Sequence, residues 1–125
     1  MSKASEIEDL VRKLEDKGFD PEFLESLTEW ELFRLLENFE SKNSIVQATV
    51  ALDLESFDID LPDIFQETKS FSEVITTLPD QDGDSDKISF KLIYAGDKED
   101  VAKLKEFFTG KKYFKGVKNL PESGP

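Results

Sequence analysis

Cysteine and histidine are both absent from this 125-residue chain. Without cysteine there is no disulfide, no thiolate nucleophile and no zinc–sulfur centre. Without histidine the chain lacks the side chain whose unperturbed pKa lies nearest neutrality. Together the two absences exclude the common catalytic triads and most transition-metal sites. Ser–Lys dyads, carboxylate pairs and Mg²⁺ or Ca²⁺ sites remain open. Long apolar runs are missing as well. No stretch reaches the roughly 20 apolar residues that a membrane helix needs. The first 30 residues are charged throughout and hold no apolar run of the signal-peptide kind. A cytoplasmic location, away from membranes, is the expectation.

Positive charge is scarce in the middle of the chain. Residues 43–86 carry Lys69 alone against 11 acids, a net of -10. Residues 1–42 carry 6 basic and 12 acidic side chains, whereas residues 87–125 carry 9 lysines and 5 acids. The middle segment cannot neutralise itself locally and presents a negative field to whatever approaches. That field argues for a basic protein partner and against nucleic acid or anionic lipid as direct ligands, since both are polyanions. The apolar fraction, 38%, is low, but 11 Phe residues offset it. Each buried aromatic removes about 150–250 Å² from water. A chain of this length buries roughly two-thirds of its unfolded surface and holds a core without staples.

The first third reads as helices. Ser5 and Glu8 form a capping box, and Ile7, Leu10, Val11 and Leu14 recur at helical spacing. Gly18 suits a left-handed helix end, and Asp20-Pro21 restarts the chain with an N-cap and an N1 proline. Phe23, Leu24 and Leu27 make the next apolar face. Thr28 and Glu31 form another capping box ahead of the stripe Leu32, Leu35, Leu36 and Phe39.

From Ile45 the period changes to two, with Val46, Ala48, Val50, Leu52 and Leu54 on one face. At Ser56 the phase flips, and Phe57, Ile59 and Leu61 become the apolar set. A phase flip in a strand needs a bulge or corner, so residues 45–55 read as a strand that bends near Ser56. Pro62 excludes a central-strand role at that point. Residues 70–78 and 87–95 read as a hairpin, with Ile88, Phe90, Leu92 and Tyr94 on one face. Gly96-Asp97 caps a helix over 98–108, Gly110 ends it, and residues 111–118 suit a short strand.

The expected fold is therefore α+β. A three-helix cap over residues 1–42 precedes a mainly antiparallel sheet of three or four strands with a C-terminal helix packed on it, over 43–118. Residues 119–125 read as a flexible tail, and the whole makes one compact domain.

Several constellations are candidates for function. Asp53, Glu55, Asp58, Asp60 and Asp63, with Phe57 and Ile59 among them, would form a row of carboxylates about 6.6–6.8 Å apart if extended. Such a row suits a basic groove, and a solvated outer sheet face would alternate in the same way. Asp80, Asp82, Asp84 and Asp86 resemble the start of a calcium loop. Ser85 stands where that loop needs Gly, and Lys91 where it needs Glu, so an acidic hairpin loop is the expectation and no cofactor is required. The segment Lys111, Lys112, Tyr113, Phe114, Lys115 and Lys118 interleaves charge with aromatics, as single-strand binders do. The expectation is that its rings pack inward and its lysines meet acidic neighbours. Trp30 and Phe33 fall beside the third apolar stripe. They are expected to pack beneath the sheet or the first helix; exposed, they would be an interface hot spot.

The leading reading is a non-enzymatic module that docks a basic partner protein, as an inhibitor, an immunity-type protein, an adaptor or a nucleic-acid mimic. A small assembly component using the helical cap as its interface is the alternative. A carboxylate-based Mg²⁺ enzyme comes third, because no Gly-rich phosphate loop or paired motif accompanies the acids. Oligomeric state is left open.

Overall fold

The computed structural model describes residues 3–80 and 86–120. Capping chemistry sets the cap helices. Helix α1 (Lys3–Asp16) buries Leu14 completely and ends through Gly18 at φ 106°. It begins at Lys3, ahead of the Ser5–Glu8 pair expected to open it. Helix α2 (Pro21–Glu25) starts on Asp20, whose carboxylate accepts the Glu22 N–H at 3.3 Å. Helix α3 (Glu29–Glu40) starts on Thr28 with both arms of the capping box formed, at 3.2 and 2.9 Å. Such a cap stabilises by about 1 kcal/mol.

Strands β1 (Ser44–Asp53), β2 (Glu73–Asp80), β3 (Lys87–Gly96) and β4 (Phe114–Leu120) form an antiparallel sheet in the order β2-β3-β1-β4. Two further helices cross between strands: α4 (Phe57–Thr68) joins β1 to β2, and α5 (Lys98–Phe108) joins β3 to β4. From β1 onward the order is β-α-β-β-α-β, the split-βαβ or ferredoxin-like pattern. The α+β class, the leading helical cap and the antiparallel sheet agree with the sequence reading.

Two expectations are corrected. Residues 57–61 do not continue an extended chain past a bulge; they open α4. Phe57, Leu61, Ile64, Phe65 and Thr68 lie at helical spacing, and all are buried or half-buried. Burying that stripe outweighs the short alternation of Asp58 and Asp60. Pro62 sits inside the helix, where it withholds one N–H from the ladder. Residues 119 and 120, expected to open a flexible tail, instead belong to β4, where Asn119 and Leu120 pair with Val46 and Ile45; the rest of that expected tail lies outside the described residues.

The sheet separates two cores. On one side, α4 and α5 cover Val46, Ala48, Val50, Leu52, Phe90, Leu92 and Tyr94. Phe108 is fully buried there, with the rings of Tyr94, Phe107, Tyr113 and Phe114 around it. Thr68 Oγ1 donates to the Ile64 carbonyl at 2.8 Å and lies 3.0 Å from the Tyr94 hydroxyl. Its one proton is spent on Ile64, so the tyrosine is the donor of that pair. Burial pushes the Tyr94 hydroxyl up to about 12.

On the other side, α1–α3 cover only one end of the sheet, at Ile45, Ile75, Ile93 and Ala95. Arg34 ties the cap to β2 by a forked pair with Glu73, its Nε donating to Glu73 Oε2 at 2.7 Å. Farther along the same face come Gln47, Thr49 and Ala51 on β1, with Ser89 and Lys91 on β3.

Candidate functional site

The acidic stretch forms a turn and a helix face rather than an extended row. Asp53 ends β1, Leu54 and Glu55 lie in the turn, and α4 follows directly. Asp53 accepts from Lys87 Nζ at 2.8 Å, and both side chains are exposed. Ser56 Oγ donates to Asp60 Oδ2 at 2.9 Å, which holds Asp60 against the helix start. Phe57 turns inward, its ring centroid 5.9 Å from that of Phe90. Asp58, Ile59, Pro62 and Asp63 are exposed together on the outer side of α4. Leu54 and Ile59 are large apolar side chains left 47% and 64% exposed. The strand reading placed Leu54 on the apolar face of β1; beyond Asp53 it has no strand to belong to.

The helix periodicity sorts the carboxylates. Asp60, Asp63 and Glu67 follow at i, i+3 and i+7 along one flank. Asp60 and Glu67 are two turns apart, about 10.5 Å along the axis. Burial first, then the charges of Glu67 and Asp60, push the Tyr113 hydroxyl above its usual range. Helix α4 contains no basic residue. Asp58 and Asp60 suit the positive N-terminal end of the helix, but Glu67 in the last turn opposes the dipole. Asp63 and Glu67, four apart, repel by a few tenths of a kcal/mol.

Trp30 and Phe33 do not pack beneath the sheet or α1. They are 69% and 45% exposed, stacked on each other with centroids 6.0 Å apart. Nothing among the described residues buries this pair, because α1 and the sheet both lie against the opposite side of α3, where Leu32, Leu35 and Leu36 are buried.

The basic C-terminal segment keeps its rings inside. Phe114 stacks on Phe108 at 5.6 Å, Tyr113 meets Phe108 edge-on at 6.4 Å, and Lys111 Nζ lies 4.6 Å from the Phe107 ring centre. Those aromatics are core, not a stacking platform. Of the calcium-loop acids, Asp82 and Asp84 lie outside the described residues. Asp80 ends β2, and the Asp86 carbonyl accepts the Leu54 N–H at 3.1 Å. Among the described residues no three acidic side chains converge on a point that would hold a metal ion, and no helix is long and apolar enough to cross a membrane.

These pieces define an acidic α+β protein whose two helix-borne surfaces, on α4 and α3, expose apolar side chains among carboxylates. No protein-family model matches the chain, and no curated protein matches its sequence with significance.

Proposed function

We propose that this protein is a non-catalytic binding module that docks a basic protein partner on the outer face of α4 and the turn before it. An inhibitor, an immunity-type protein or a nucleic-acid mimic would work in this way. One observation carries the reading: Leu54 and Ile59 stand exposed within a surface of carboxylates whose helix holds no cation. Asp58, Asp63 and Glu55 supply the field, and Asp53 joins them when a partner cation displaces Lys87. Ile59 and Leu54 supply the apolar grip. Asp60 and Phe57 support the surface from behind. A basic partner would relieve the like-charge repulsion that α4 carries in the free protein, which favours association and speeds it. The test is capture on the immobilised protein from lysate of the source cell, eluted with salt. The expected result is a basic protein leaving the wild type at moderate salt and absent from an Asp58→Asn, Ile59→Ser, Asp63→Asn variant. Equal retention by both would reject this surface.

The exposed Trp30–Phe33 stack favours a second reading, a subunit of a larger assembly that uses the cap as its interface. Aromatic anchors of this kind dominate interface energetics. That reading predicts a complex that survives high salt in size-exclusion chromatography and is lost in Trp30→Ser.

A further inference from the structure

Helix α3 presents one continuous exposed stripe. Trp30, Phe33, Glu37 and Glu40 recur at i, i+3, i+7 and i+10, and all four are exposed. The stripe runs about 15 Å along the helix axis. Its first half is the stacked aromatic pair. Its second half is acidic and falls in the last turn, which holds no basic residue. The carbonyl groups at a helix C-terminus already carry partial negative charge, so acids there are unfavourable and a cation is stabilised.

Arg34 does not supply that cation. Its guanidinium is forked onto Glu73 and also meets Glu37, so two carboxylates share one positive charge. Glu40 takes part in none of the ion pairs among the described residues, although Lys42 follows two residues later. An unneutralised helix end therefore lies next to exposed aromatic surface. Glu37 is one turn beyond Phe33 and Glu40 two turns beyond it, about 6 and 10.5 Å along the axis.

Those two halves select the occupant. A second copy of this chain would bring the same cation-free stripe. Parallel pairing would set acids on acids. Antiparallel pairing about the middle of the stripe would set Trp30 against a Glu40 and Phe33 against a Glu37. Either arrangement removes carboxylates from water with no cation to meet them, a net cost. Anionic lipid and nucleic acid are repelled by the same charges. A cationic amphipathic helix satisfies both halves at once.

We propose that the exposed stripe of α3 docks a basic amphipathic helix of a partner protein. Its apolar side chains lie on Trp30 and Phe33, and a Lys or Arg one to two turns along faces Glu37 and Glu40. The inference rests on the second reading above, the cap as an interface, and adds the chemistry of the partner. The aromatic pair supplies most of the binding energy, and the carboxylates choose which helix binds and in which direction.

Trp30 is the only tryptophan of the chain, so its own fluorescence reads the site. The probe is a tryptophan-free amphipathic helical peptide of leucine, lysine and alanine, titrated into the full chain. A saturable blue shift of Trp30 emission, with reduced quenching by acrylamide, is expected. Binding should weaken about tenfold in Phe33→Ser and about threefold in Glu40→Gln. Both side chains are exposed, so neither variant removes core packing. The variant Asp58→Asn, Ile59→Ser, Asp63→Asn should leave the Trp30 signal unchanged, which separates this site from the α4 surface. Absence of a saturable change, or an affinity unaltered in Phe33→Ser, would overturn the proposal. So would equal binding of the same peptide with glutamate in place of lysine. In that event a salt-resistant complex lost in Trp30→Ser would still uphold the interface reading, without a basic partner.

Discussion

The two faces of the sheet bury different things. Toward α4 and α5, β1 and β3 present an unbroken apolar surface, from Val46 to Leu52 and from Ile88 to Tyr94. Toward the cap the same strands begin apolar, at Ile45, Ile93 and Ala95, and then turn polar at Gln47, Thr49, Ser89 and Lys91. A strand's two faces are set by alternate residues, so one segment of chain can serve an apolar core and a more polar face at once. The enclosed face holds the fold together. The polar face contributes less apolar burial to the fold.

Substitutions separate the two faces. The largest effect is expected on the enclosed side, where Phe108→Ala should cost about 3–5 kcal/mol in urea unfolding. On the polar face, at half-buried Thr49, Thr49→Ala should stay within about 0.5 kcal/mol. If the two costs were similar, the faces would not differ as described.

Alkaline pH probes the same core. A phenol whose folded pKa lies above its unfolded value keeps its proton longer in the folded state. Its stabilising contribution is complete below pH 10 and is lost as pH rises toward about 12. Stability should therefore fall across that window by up to about 1.4 kcal/mol per pH unit. The slope should flatten in Tyr94→Phe; an unchanged slope would place the cause elsewhere.

Smaller effects sharpen the comparison at its edges. Thr28→Ala removes one arm of the α3 capping box and should lower stability by about 1 kcal/mol, read as a shifted thermal midpoint. Asp53→Asn breaks an exposed pair with Lys87 and should cost under about 1 kcal/mol, less still in high salt.

The cap helices were legible because their signals are local: Asp20-Pro21 and Thr28 with Glu31 act within one turn. The β1 and β3 alternation and the α5 cap at Asp97, which accepts the Asp100 N–H at 2.8 Å, were legible for the same reason. Helix α4 was not. Phe57, Ile59 and Leu61 satisfy a period of two, while Phe57, Leu61, Ile64 and Phe65 satisfy a helix, and five residues cannot separate the periods. The choice was made by the sheet, whose apolar face needed a cover. Trp30 and Phe33 stood outside the stripe of α3 in the sequence, but whether anything covered them depended on the position of α1 and the sheet.

The docking surface proposed on α4 is tested most directly by the association rate of a captured basic partner, measured by stopped flow at increasing ionic strength. The expected result is a rate that falls steeply with salt for the wild type. In Asp58→Asn, Asp63→Asn it should be slower at low salt and nearly flat. Superimposable curves for the two proteins would contradict the assignment of this surface.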